Sequence, residues 1–292
     1  MKRLQPYLLG TAIILAGASL RAQSLYTSSS DFAKYAMKLR ETALSSIEPR
    51  VVTPTTARSA GGIFNWRNDI VTTVFWVGES ASANNPVHNR SSSWDTDWSG
   101  SFGGYDNPDP SARKDYRPAN FIPHQNPFYF ALPYNDVTRG ETKEEAPRVI
   151  PWFKSVFVRA GQSVCKDHWI AIRNRRSGRT AYAQWSDCGP FSTDHWEYVF
   201  GTERPKPNLN GGAGLDVSPA VRDFLGLANT DVTDWRFVEV REIPVGPWRN
   251  FGESNNQFVQ AARSREQVVK AAPVTISKPV EDLPKVHIQS AQ

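Results

Sequence analysis

Apolar and polar positions change their spacing several times along the chain. Near the N-terminus, Phe32, Ala36, Leu39, Ala43 and Ile47 recur at helical intervals behind Ser30 and Asp31, which predicts a helix over 32–47. Residues 49–62 are rich in Pro, Thr, Ser and Gly and read as a linker. β-Branched and aromatic residues then crowd into Asp69–Ser80 (DIVTTVFWVGES), a predicted strand. Between 84 and 125 neither strand nor helix periodicity survives. Trp94, Trp98, Phe102 and Tyr105 stand there among Ser, Gly, Asp and Asn, which predicts a long aromatic insertion rather than a disordered one. Strand character returns in Asn126–Asp136 (NPFYFALPYND), and residues 137–149 read as a charged surface loop.

Two further runs, His168–Asn174 and Arg179–Trp185, flank an Arg-Arg-Ser-Gly turn and predict a hairpin, with Gly178 at the positive-φ position. If the second strand persists, Ala181, Ala183, Trp185 and Asp187 share one face. Ser218 and Pro219 open a short helix whose apolar stripe is Val221, Phe224 and Leu225, and Gly226 ends it. The stretch from Asp234 (DWRFVEVREIP) is a last strand, and the polar residues 251–292 read as a disordered tail. Many short strands with one short helix make a mainly β chain, with a small barrel as its architecture.

At the start of the chain, Lys2 and Arg3 precede an apolar run from Tyr7 to Leu20. This predicts a secretory signal over 1–22, with small residues placed for cleavage after Ala18 or Ala22, although an uncleaved anchor is the alternative. The expected location is secreted or periplasmic, with no stable membrane insertion after cleavage. The remaining domains are then 23–62, helix and linker, and 63–250, the barrel with its insertion. Net charge is +5 from scattered basic and acidic residues, which gives no nucleic-acid footprint.

The chain holds two cysteines, and in an exported protein they predict a disulfide between Cys165 and Cys188. The rival is a zinc set of Cys165, His168, Cys188 and His195, whose spacing departs from common finger patterns. Asp95, Asp97, Asp106 and Asp109 lack the glycine and terminal glutamate of a calcium loop. Neither a metal nor a cofactor is expected.

Two motifs carry more. Trp185–Phe191 (WSDCGPF) is followed by Gly214–Leu227 (GLDVSPAVRDFLGL). Together they resemble the double-psi β-barrel of the rare lipoprotein A-like and barwin/expansin group. In that group a strand ends in Asp-x-Gly-Pro-Phe and is followed by a Leu-Asp-Val-Ser step into a helix. The aromatic-Gly-Glu ending at Glu79 and the Leu132-Pro133 pair resemble other segments of the same family. The resemblance spans roughly 70–248 and implies a six-stranded double-psi barrel with a short helix, an N-terminal helix and a long insertion. Members cleave peptidoglycan or β-glucan, or bind polysaccharide without cleaving it.

The resemblance makes Asp187 an acid/base candidate and Asp216 its assistant in a polysaccharide groove. Breaking a glycosidic bond needs a carboxylic acid for the leaving oxygen, and direct hydrolysis needs a second carboxylate. Tyr129 stands where the lytic transglycosylases carry a histidine, and Cys188 where they carry arginine. Trp185, Glu79, Tyr129, Trp94, Trp98 and Tyr105 are the candidates for holding substrate. Each has a plainer reading beside it: a turn aspartate can be architectural, and the aromatics can fold the insertion onto the barrel. The expected partner is peptidoglycan or β-glucan. The alternatives are a non-catalytic polysaccharide-binding module and a structural envelope protein.

Overall fold

The computed structural model describes residues 37–38 and 64–271, apart from 83, 84 and 86. The expected signal, the linker and most of the N-terminal helix lie outside the described residues; Met37 and Lys38 are helical.

The strands are β1 (Arg67–Val74), β2 (Arg113–Lys114), β3 (Arg117–Pro118), β4 (Tyr129–Leu132), β5 (Val137–Thr138), β6 (Glu141–Thr142), β7 (Trp169–Arg173), β8 (Thr180–Cys188), β9 (Leu215–Val217) and β10 (Thr230–Val238). Six of them close into a barrel in the order β1-β10-β7-β8-β4-β9. The pairs β1/β9 and β4/β8 are parallel and the others antiparallel. The mainly β barrel read from the strand pattern is therefore present. The β7–β8 hairpin turns through Gly178 at φ 71°, as its position in the turn requires. The helix Pro219–Leu225 starts where Ser218 accepts from the Val221 amide at 3.3 Å and stops at the left-handed Gly226.

Alternate positions along the strands fill the barrel. Phe130, Leu132, Ile170, Trp185, Val217, Trp235 and Phe237 form its interior. Trp185 stacks on Phe130 with ring centroids 5.7 Å apart. The opposite face of β4 carries a second, smaller core. Tyr129 and Ala131 are covered there by Phe75, Val77, Trp98 and Phe102. The insertion therefore folds onto the outside of the barrel. It holds a short helix (Trp98–Phe102) capped by Asp97, and it buries both aromatic ends of that helix. A fully buried ion pair fastens it. Arg113 reaches Asp106 and Asp223, and the Tyr129 hydroxyl donates to Asp106 Oδ2 at 2.9 Å. Asp106 thus serves the fold, with its carboxylate already satisfied.

Two expectations are corrected. Residues 251–271, read as part of a disordered tail, hold a helix over Gln257–Ala271. Polar composition misled here because the asparagines are used internally: Asn256 is fully buried and donates to the Trp248 and Phe251 carbonyls. Phe258 then packs against Trp169. The expected disulfide is absent: Cys165 and Cys188 are free thiols. They are near neighbours, but Cys165 engages Asp136 and Cys188 engages Ser93. Burial pushes both thiols well above the ordinary range.

Candidate functional site

Strand register builds the site. Thr73 on β1 lies opposite Asp216 on β9, Asp216 lies opposite Ala131 on β4, and Ala131 lies opposite Asp187 on β8. Residues paired across strands point to the same face. These four therefore form one row across four adjacent strands, on the outside of the barrel. The aspartate backbones stand two strand spacings apart, about 10 Å. Ala131 lies between them in the row, and both aspartates line the same groove.

This arrangement depends on a bulge. Phe130 pairs with Trp185, but the next β4 residue, Ala131, pairs with Asp187, which leaves Ser186 as the extra residue. Without that slip, Asp187 would point inward beside Trp185. The one-residue insertion turns it out. The expectation that Trp185 and Asp187 share a face is thereby corrected. Trp185 stays fully buried, and its indole donates to the Asp187 carbonyl at 2.8 Å, which steadies the corner from beneath.

The row lines a groove of about 590 Å³ of mixed polar and apolar character, whose other lining residues include Glu79, Asn85, Asn89 and Phe191. Asp187 Oδ1 accepts from the amides of Ser93 and Cys188, both at 2.7 Å. The first of these ties the insertion to the β8 corner. Burial pushes the Asp187 carboxyl up from the usual range, and the two amides oppose that rise. Asp216 Oδ1 accepts from the Thr73 hydroxyl. Protein surrounds most of Asp216, and this burial lifts its carboxyl to about 7. The nearby charges of Glu79 and Asp187 act in the same direction, against the Thr73 bond. Burial also raises Glu79 to about 6, against hydrogen bonds to Asn85 and the Trp76 backbone; the Asn89 amide donates to its carboxylate at 2.9 Å. Gly189 lies beside Asp216: a Cβ there would make ordinary contact with Oδ2 at 3.7 Å.

Of the residues singled out by sequence, Asp187, Asp216 and Glu79 line the same groove. Trp185, Tyr129 and Trp98 are buried and belong to the two cores. Trp94 is half-buried; it packs edge-on against Trp185, and its indole donates to Asn135 Oδ1 at 2.8 Å. Tyr105 is exposed and lies over Gly78 and Arg90. The two cysteine–histidine pairs are not gathered: His168 stacks flat on Trp152 at 3.5 Å and His195 faces Glu203 at 3.1 Å.

Thr73 and Ser93 went unnoticed in the sequence, and Phe191, expected to pack beside Asp187 with Trp185, stands exposed instead. Phe191 has φ 59° and stays nearly half exposed on the groove wall. A left-handed backbone at a bulky residue costs about 1–3 kcal/mol and tends to mark functional positions. Its place after Asp-Cys-Gly-Pro was the available signal. Thr73 and Ser93 gave none, because their roles depend on register and on where the insertion lands. Compared with known families, the chain matches no family model, and a comparison with curated proteins finds no match.

Proposed function

We infer that the protein is an exported enzyme acting on cell-wall-type polysaccharide, built on a barrel of the double-psi kind. One observation carries this reading. Asp216, raised to about 7, shares an open groove with Asp187 and Glu79. An acid of that pKa still holds its proton near neutral pH, as a general acid must.

Asp216 then donates its proton to the glycosidic oxygen, and the bond from that oxygen to the anomeric carbon breaks. Asp187, its carboxylate steadied by two backbone amides, faces the positive charge that develops on the sugar ring. Water or a hydroxyl of the same sugar completes the substitution and returns a proton to Asp216. Serine and asparagine side chains along the groove suit a polyhydroxylated ligand, and the exposed Phe191 ring suits the apolar face of a sugar. Asp216 is thus the proton donor and Asp187 its partner, the reverse of the roles implied by resemblance.

The test is incubation of the purified protein, Asp216→Asn and Asp187→Asn with peptidoglycan and with β-glucan, with mass analysis of the products. Products from the wild type, lost in Asp216→Asn, support the reading; product-free traces from all three remove it. A second reading, a non-catalytic polysaccharide-binding module, is favoured by the tie of Asp187 Oδ1 to two amides. It predicts retention of glycan without products.

A further inference from the structure

We propose that the segment over residues 154–160, the end of a short helix (Phe153–Val156) and the turn after it, is a peripheral membrane contact that inserts Val156, Phe157 and Val158 into the interface of an anionic phospholipid bilayer. Every residue from Lys154 to Ala160 is exposed. Three consecutive large apolar side chains lie within this stretch, 49%, 41% and 74% exposed. Lys154, one residue before the triplet, and Arg159, directly after it, bracket them. From Arg148 to Lys166 the chain carries four basic residues and no carboxylate. An apolar tip inside a cationic collar matches the layering of an anionic bilayer, with acyl chains below charged headgroups. Long basic side chains can stay at headgroup level while the tip enters.

The tip is held in shape from both sides. Phe157 stacks on the buried Phe153 at 4.8 Å, and its amide donates to the Phe153 carbonyl at 2.9 Å. Ser155 Oγ donates to the Trp152 carbonyl at 2.7 Å, and Gly161 donates to Thr142 Oγ1 at 3.1 Å. Insertion of a preformed tip does not have to order the loop first, which favours binding. The β5–β6 hairpin packs at the far end, where a Cβ on Gly161 would collide with the Gly140 carbonyl. Arg139 and Glu141 are both exposed on that hairpin, so it adds no net charge to the collar.

The test places an environment-sensitive dye on Val158→Cys in the full chain and compares it with the same dye on Val245→Cys, an exposed valine (87%) elsewhere. Vesicles are phosphatidylcholine alone, or with roughly a third phosphatidylglycerol. The expected result is a blue-shifted emission at position 158 with the anionic vesicles, weaker with the neutral ones and absent at position 245. A Lys154→Gln/Arg159→Gln background should weaken binding about 30-fold at low salt, or about 5-fold per cation removed. Emission at 158 that ignores vesicles, or that shifts equally at 245, overturns the proposal. So does a shift produced by raising protein concentration alone, which would assign the tip to a second copy of the chain. The local dye reports on the loop whether or not the N-terminal segment also binds lipid.

Discussion

Replacing Asp216 with asparagine should stabilise the protein at alkaline pH and leave it nearly unchanged in acid. In the fold the Asp216 carboxyl is raised from 3.8 to about 7, chiefly by burial. Below 3.8 it is protonated whether the chain is folded or not, so it affects stability little. Between 3.8 and 7 the unfolded chain gives up the proton while the folded chain keeps it, and stability falls as pH rises. Above 7 the fold carries the full cost of an ionised, poorly solvated carboxylate. The shift corresponds to about 4 kcal/mol, and groove water screens part of it, so about 2–4 kcal/mol is expected. Asparagine keeps an oxygen for the Thr73 hydroxyl and carries no charge. Urea unfolding of both proteins at pH 4, 6 and 8 measures the difference. The gain should be near zero at pH 4 and largest at pH 8, with unchanged slope. A gain independent of pH, or none at pH 8, would refute the burial argument and with it the reason for assigning the proton donor to Asp216. The same substitution should abolish any glycan cleavage, so stability would rise as activity falls.

Arg113→Leu should destabilise by about 3–5 kcal/mol, because Asp106 is left buried without its cation; chemical denaturation reads this. Trp98→Ala should cost about 3–5 kcal/mol and loosen the insertion, seen as faster proteolysis between 84 and 125. His168, flat against Trp152, is lowered by burial to about 3. The unfolded chain takes up its proton near 6.5 and the folded chain does not, so stability falls as pH drops from 6.5 towards 3. His168→Gln should flatten that part of the pH–stability curve measured by thermal melts.

Local chemistry made much of this protein legible. The β7–β8 hairpin followed from two β-rich runs around a glycine turn. The helix after β9 followed from the Ser218 cap, Pro219 and Gly226. The mainly β character followed from many short strands. Asp187 and Asp216 were picked out by the family resemblance of the short motifs around them. All of these are encoded within a few residues of one another.

Register and closure are not. The extra residue at Ser186 turns Asp187 outward, and nothing in the β8 sequence distinguishes a bulged strand from a regular one. The row Thr73, Asp216, Ala131 and Asp187 comes from four strands far apart in the chain, brought together when the barrel shuts. The raised acidity range of Asp216 depends on burial that only this closure creates. The burial of Trp98, the pairing of Asp106 with Arg113 and the anchoring of Asn256 likewise depend on surfaces supplied by distant segments. Short-range patterning set which residues could form strands and turns, and the resemblance of two motifs named a candidate acid pair. The tertiary structure alone decided which faces they show, because side-chain direction in a strand alternates and a single slipped residue reverses it.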